Sequence, residues 1–400
     1  MSGLLSHQNR LNVIGDNIAN ANTTAFKRSR VAFGEILGQQ LVGVSRTQGG
    51  SSINPAFVGN GVSVGSIDKN WNQGTLEFTN IRTDIALNGD GFFIANKGGR
   101  NILTRAGNFS FNDNGELVTA SGLNVQGYGI DSEGNIDPSR LQTLKLDPNT
   151  KDPPKFTENA TIAGNLSADA AVGDTYEIST SVYDEQGTAH NVTINFEKTS
   201  DTAWDYTIEY GGDPADSPFG GNATGTLNIA ADGSVSGATT PQLTWNTDAV
   251  GSGANLTFNL EELTQYSGSS TAVVQDQDGN NSGEVVGYNI DTKGRLVLNF
   301  SNGEQQVRGQ IAVGNVNNPQ GLEQLGDNFF GVTAQSGDLK IGRAGQEIST
   351  SMVSGALEQS NVDIATEFTD MITTQRGYQA SARVVTTSDE ILQETLQLKR

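Results

Sequence analysis

Cysteine does not occur in this 400-residue chain, and histidine occurs only at His7 and His190. The first absence excludes disulfides, thiol nucleophiles and thiolate metal sites. The second leaves too little imidazole for a histidine-built zinc site or a Ser-His-Asp triad. No apolar run approaches the roughly 20 residues that cross a bilayer. The first residues lack the charged, apolar and small-residue layout of a cleavable secretion signal. The chain is therefore expected to be soluble, with any export using another route. Cations are scarce too, 24 Lys and Arg against 45 Asp and Glu. From Asp147 to Glu262, 18 acids face only Lys151, Lys155 and Lys198, so most of the excess lies mid-chain. Such a polyanion would repel nucleic-acid phosphates and suits a solvated outer face.

What is present is helical periodicity at both ends. Ile364, Met371, Tyr378, Val385 and Leu392 recur every seven residues, with Phe368, Ala382 and Leu396 at the companion position. That spacing makes a coiled-coil-like seam, weakened by Asn361, Gln375 and Asp389 in the companion row. At the other end Leu4, Leu11 and Ile18 repeat in the same way, with Ile14 and Ala21 beside them. Residues 1–30 carry a net charge of +3 and residues 356–400 a net of −3. Matched heptads and opposite charge predict that the two termini pair, with apolar surface left over for further copies. "VAFGEILGQQL", from Val31 to Leu41, predicts a short second helix or helical turn through Phe33, Ile36, Leu37 and Leu41.

Between the ends the texture is β. Residues 43–70 are Gly/Ser-rich and read as an extended connector or loose hairpin. From 71 to 146, dense turn signals at Asn88–Gly91 and Asn112–Gly115 separate strand-like runs. "KLDPNTKDPP", with three of the nine prolines, marks a hinge, and short strands at regular spacing follow it. From 266 to 355 the earlier Gly-rich texture returns. The predicted fold is mainly β with terminal α-helices and nested domains: 1–42 with 356–400 helical, 71–146 with 266–355 a split β domain, and 147–265 an inserted acidic barrel or sandwich.

No active site, metal site or cofactor site is predicted. "DQDGNNSGE" alternates Asp276, Asp278 and Asn280, but Asn281 and Gly287 stand where a calcium loop needs Gly and Glu. "GNGVSVG" at 59–65 has the wrong spacing for a dinucleotide fingerprint. No carboxylate pair is singled out for glycoside hydrolysis. His190 reads as a rim residue on an alternating strand. Trp204, Tyr206, Tyr210 and Trp245 could form a glycan-binding platform, but strand core is the better reading.

Three stretches resemble the bacterial flagellar rod and hook family. They are "NVIGDNIANANTTAFKRSR" near the start, "GDGFF" with "TRAGNFSFNDNGELVTASGLNVQGY" in the β region, and "GALEQSNVDIATEFTDMITTQRGYQASARVVTTSDEILQETLQLKR" at the end. The length and the insertion, with "SVYDEQGTAHNVTINFEK", resemble hook members rather than the shorter distal rod members. The resemblance implies a non-enzymatic subunit of a bendable extracellular tube that passes motor torque to the filament. It also implies helices lining the tube, the split β domain as wall and the insertion facing outward. The partners implied are copies of the chain, the distal rod protein, the hook cap, the hook–filament junction protein and the flagellar export apparatus. Family members carry about two more helical turns before "SGL", so Met1 reads as an internal methionine or a trimmed start.

Overall fold

The computed structural model describes residues 2–42, 45–46, 52–53, 56–131, 133–237, 240–246 and 254–397. The chain divides into two units. One holds Met1–Asp147, Tyr288–Val297 and Gln306–Arg400, and the other holds Pro148–Gly287 and Leu298–Gln305.

The second unit is a sandwich of two four-stranded sheets, with no closed barrel among the described residues. Thr175–Tyr183, Ala189–Ser200, Ala203–Tyr210 and Ala223–Asn228 form an antiparallel meander. The facing sheet runs Gln242–Thr244, Asn255–Tyr266, Asn159–Ser167 and Val273–Gln277. Its two central strands are parallel, and parallel neighbours need a long crossover. The meander is part of that crossover. Alternation supplies the core: Ile194 opposes Ile208 and Phe196 opposes Tyr206 on one sheet, and Leu256, Phe258 and Leu260 point in from the other. Trp204 and Trp245 are fully buried, their indole N–H groups donating to Gln265 Oε1 at 2.8 Å and Thr157 O at 3.2 Å. With Tyr206 also buried and Tyr210 packed against the same cluster, these aromatics are core rather than a ligand platform.

The return to the first unit comes later than the expected boundary at 266. Val273–Gln277 pairs with Asn159–Ser167, so it completes the sandwich. Glycine-rich texture reports turns, not sheet membership, and it misled the boundary. The Asp276–Asn280 loop is a staple. The Asp278 carboxylate accepts the backbone N–H of Glu158 and Asn159 at 2.9 and 3.0 Å. His190 is half-buried, its Nε2 3.0 Å from Asp184 Oδ2 and its ring edge-on to Trp245.

In the first unit, strands from both sides of the insertion interleave. The order is Gln305–Asn315, Asn124–Ile130, Phe92–Lys97, Arg100–Thr104, Phe329–Gly331 and Glu323–Gly326. Val313 pairs with Phe93, and Leu103 with Phe330. Leu87, Phe93, Val125, Ile311, Val313 and Met352 pack in its core. Gly115 closes the "NDNG" turn with φ +75°, and a Cβ there would lie 1.9 Å from Leu146 O. Thr350–Ser354 then pairs with Ile85–Gly89, and Ala356–Glu358 with Leu76–Phe78, which brings residue 358 back beside residue 76.

The expected second helix is instead a strand. Ser29–Glu35 pairs antiparallel with Val62–Lys69, and Gln39–Val42 with Ala56–Val58. Val31 and Phe33 face Ile67 and Val64 in the register, and this partner strand outweighs the weak helical spacing. The 43–70 connector thus contributes a paired strand, while 43–44, 47–51 and 54–55 lie outside the described residues. Among the described residues no helix is long and apolar enough to cross a membrane.

The fragment 155–280 should unfold cooperatively by itself, because the sandwich core lies within it. In it Trp245→Ala should cost about 3–5 kcal/mol by chemical denaturation, and exposed Tyr266→Ala less than about 0.5. A gradual melt would show that the sandwich needs the rest of the chain. A second expectation concerns acid. Hydrogen bonds from Arg343 to Glu347, one of 2.5 Å, hold that carboxyl at about 2 against an ordinary 4.5. Its folded-state value is depressed, so its stabilisation is present above about pH 4.5 and is lost as pH falls towards 2. Carboxyl NMR titration should find that midpoint, returning towards 4.5 in Arg343→Gln.

Candidate functional site in the terminal segments

Helix α1 covers Ser2–Ala19 and α2 covers Ile364–Gln397. Asp363 starts α2, its carboxylate accepting the Ala365 N–H at 2.9 Å and the Thr366 N–H at 3.3 Å. The Thr366 hydroxyl adds a bond of 2.9 Å, and together these hold the Asp363 carboxyl below its usual pKa. α1 stops where Asn20 turns back to donate to Asp16 O at 2.9 Å. The helices run antiparallel, with Gly3 beside Ser381, His7 beside Gly377 and Asn17 beside Glu367. A Cβ on Gly377 would lie 2.8 Å from the His7 ring. The glycine that weakens α2 by propensity is what lets the imidazole seat against it.

Of the heptad residues, Ile14 is buried, and Leu4, Leu11, Ile18, Met371, Tyr378 and Ala382 are half-buried. Ile364, Phe368, Val385, Leu392 and Leu396 are exposed. Within one chain, the stripe of α2 that meets α1 is largely polar: Glu367, Asp370, Thr374, Gly377 and Ser381. Much of the apolar row stands outward. Beyond Ala382 every described residue of the 34-residue α2 is exposed.

Charge, rather than a hydrophobic seam, sets the register. Lys27 Nζ lies 2.6 Å from Glu358 Oε1, their side chains 1% and 0% exposed. Lys27 also donates to Asn72 O at 2.8 Å, and Gly74 N–H to Glu358 Oε1 at 2.9 Å. Arg105 Nε sits 3.8 Å from Glu358 Oε2 and donates from Nη1 to Gly89 O at 2.8 Å. Burial pulls the Lys27 ammonium below its ordinary pKa, with Glu358 opposing the shift and Arg105 adding to it. A second cluster lies above this one. Arg28 contacts Glu367 and, at 3.2 Å, Asp370, which also meets Arg10 at 3.1 Å. Asn17 exchanges hydrogen bonds with the Ser29 backbone at 2.8 and 2.9 Å and donates to Glu367 at 3.2 Å. Asn361 accepts from Arg28 N–H and donates to Asn70 O and Asn72 O. Lys27, Asn17, Glu358 and Glu367 were not singled out by the sequence. Its one signal for them, opposite net charge at the two ends, carries no register.

Matches to known proteins run along the chain in this order. Residues 1–27 match the family model for the flagella basal body rod protein, and 86–171 that for the flagellar hook protein FlgE/F/G D1 domain. Residues 155–280 match the flagellar basal body protein FlaE D2 domain, and 353–398 the flagellar basal body rod FlgEFG protein C-terminal model. The flagellar hook proteins FlgE of Borreliella burgdorferi and Treponema pallidum are each 34% identical over 100% of this chain and 98% of their own length. That of Salmonella typhimurium is 31% identical with the same coverage. The chain belongs to the flagellar hook protein family. Its function is that of a structural subunit of the flagellar hook. The crystal structure of the Helicobacter pylori hook protein FlgE2 covers 71% of this chain and 100% of its own, with TM-score 0.54 and 14% identity. That likeness bears on the fold alone, and with the two terminal helices on a mainly β chain it agrees with the predicted class.

In this hook protein, Lys27→Met should cost about 3–5 kcal/mol, because it removes the ammonium from a buried carboxylate. Arg30→Ala, at a side chain 74% exposed, should cost less than about 0.5. Denaturant unfolding monitored at Trp71 would check both, and equal effects would demote the Lys27–Glu358 pair.

Proposed function

We propose that the chain polymerises with copies of itself through its terminal helices into the flexible extracellular tube of the hook. The observation that carries this is the exposed apolar row of α2. Val384, Ile391, Leu392 and Leu396 are exposed on a 34-residue helix. Covering such side chains is worth roughly 1.5–3 kcal/mol each, set against the entropy of ordering a long helix. Neighbouring copies supply that cover, and the row Ile364, Phe368 and Ile372 gives them a second place to pack. In this reading the heptad residues from Leu4 to Ile18 and from Ile364 to Leu396 line the core of the tube. The interleaved β unit forms its wall, and the acidic sandwich faces outward. The distal rod protein, hook cap and junction protein bound the tube, and export proceeds through the flagellar apparatus without a cleaved signal.

Leu392→Asp tests it. The side chain is exposed in the single chain, so monomer stability should stay within about 0.5 kcal/mol. Sedimentation and electron microscopy should show that polymerisation is lost. Wild-type polymers from this variant would remove α2 from the assembly contact.

A further inference from the structure

Asparagine followed by glycine occurs four times, at Asn60, Asn88, Asn114 and Asn302. Such a pair is chemically labile, because glycine has no Cβ to keep its amide nitrogen from the asparagine side chain. The reaction needs that nitrogen free, since an N–H already donating to an acceptor must give up its bond before attacking. Three of the four are held. Gly89 N–H donates to Gln73 Oε1 at 3.1 Å, Gly115 N–H to Asn112 O at 2.8 Å and Gly303 N–H to Phe300 O at 3.1 Å. The Asn302 amide is held as well, donating to Asp152 Oδ2 at 2.8 Å and Asn281 O at 3.0 Å.

Asn60 and Gly61 differ. Both are exposed, and Gly61 N–H donates to no acceptor among the described residues. Only the Gly61 carbonyl is engaged, accepting from Ile36 N–H at 3.0 Å. The glycine is nonetheless required. Its φ is +103°, and a Cβ there would collide with the Ser2 hydroxyl. Asn60 supports the same crossing, donating from Nδ2 to Leu37 O at 2.8 Å. Fold and reactivity therefore meet in one dipeptide, within the "GNGVSVG" stretch.

We propose that Asn60 is a site of spontaneous deamidation and the first of the four to convert. The Gly61 amide nitrogen, on losing its proton to base, attacks Cγ of Asn60. An N–Cγ bond forms, the Cγ–Nδ2 bond breaks, and Nδ2 leaves as ammonia. Water then opens the cyclic imide at either carbonyl. One opening gives aspartate at position 60, and the other gives isoaspartate, whose main chain is longer by one methylene. Both products lose the Nδ2 donor and gain a carboxylate beside the Leu37 carbonyl. The Glu35 carboxylate is near too, its Oε1 3.9 Å from where a Cβ on Gly59 would stand. Conversion thus removes a tie and adds like charge at one end of the paired strands Ser29–Glu35 and Val62–Lys69. Ser2 and Ser6 of α1 rest on this same end, Ser6 Oγ donating to Val62 O at 3.5 Å. The modification therefore accumulates with age at the seat of α1.

The test is peptide mapping by mass spectrometry of the full chain, aged in mildly alkaline buffer both folded and in denaturant. In denaturant the four sites should convert at similar rates. In the folded chain Asn60 should convert at least about tenfold faster than the other three, whose glycine N–H groups must open first. Asn60 failing to lead in the folded chain, or staying intact there while converting in denaturant, would overturn the proposal. Asn60→Asp tests the consequence by amide exchange. The Ile36 N–H should exchange about tenfold faster than in wild type, with that of buried Val313 unchanged. Equal exchange at Ile36 would show that conversion leaves the strand ends in place, and the loosening at α1 would fail.

Discussion

One buried ion pair joins the two ends of the chain. Lys27 and Glu358 are 331 positions apart in sequence and meet at 2.6 Å with almost no exposure. Taking both charges out of water costs several kcal/mol per ion, and their attraction repays it only when the geometry is good and the remaining donors and acceptors are filled. Here Asn72 O and Gly74 N–H fill two of them, while Glu358 Oε2 accepts no hydrogen bond and has only the Arg105 guanidinium at 3.8 Å. The pair is therefore more a device of register than a large net source of stability. Any slip of the last strand against its neighbour would leave one of these charges buried alone. The Glu358 backbone adds to the constraint. Its carbonyl accepts from Ala25 N–H at 2.8 Å and holds that alanine at φ +57°. Backbone and side chain of one residue thus shape the turn from which α1 departs, and α2 starts shortly after Glu358.

The antiparallel helix pair inherits its register from that point. Arg28, next to Lys27, falls beside Glu367 and Asp370, and Asn17 reaches both Ser29 and Glu367. A polar contact face has a consequence for the opposite side. The hydrophobic residues of α2 that do not face α1 need other cover, and the chain has no further α-helix to provide it among the described residues. Intrachain specificity is set by hydrogen bonds and charge, and on the proposed reading apolar area is left for neighbours.

The heptads located both helices and their mutual approach, because a 3-4 spacing sustained over many turns is characteristic of helices that pack along a stripe. They did not tell which side of α2 meets α1. A hydrophobic row reports that a face is buried in the working state, without saying whether by the same molecule or by another. Phe368 and Leu392 were expected at an interface, and both are exposed in the single chain. The buried charges were hidden for the opposite reason, since Lys27 and Glu358 look like ordinary surface residues until the strands bring 358 beside 76. A nested order of the β segments was expected from the hinge prolines and from turn chemistry such as the Asn112–Gly115 loop. The late boundary after Val273–Gln277 and the strand at Ser29–Glu35 were not. Both depend on a distant partner strand, which local pattern does not contain.

Polar contacts within the chain, with the proposed apolar contacts between chains, also suit the order in which a polymer forms. A register held by Arg28, Glu367 and Asn17 does not require the apolar row to be covered first. The single molecule can therefore present α2 in a defined direction while its distal half remains uncovered. That half is marginal by itself, because nucleating a helix is costly and the Val384–Val385–Thr386–Thr387 run has low propensity. Its order should rise when a neighbour supplies apolar contact. Growth then favours the end of an existing polymer over free molecules in solution, since only there do several partial surfaces meet one incoming helix. The anchor at Lys27 and Glu358 keeps the start of that helix in place while the remainder is being covered.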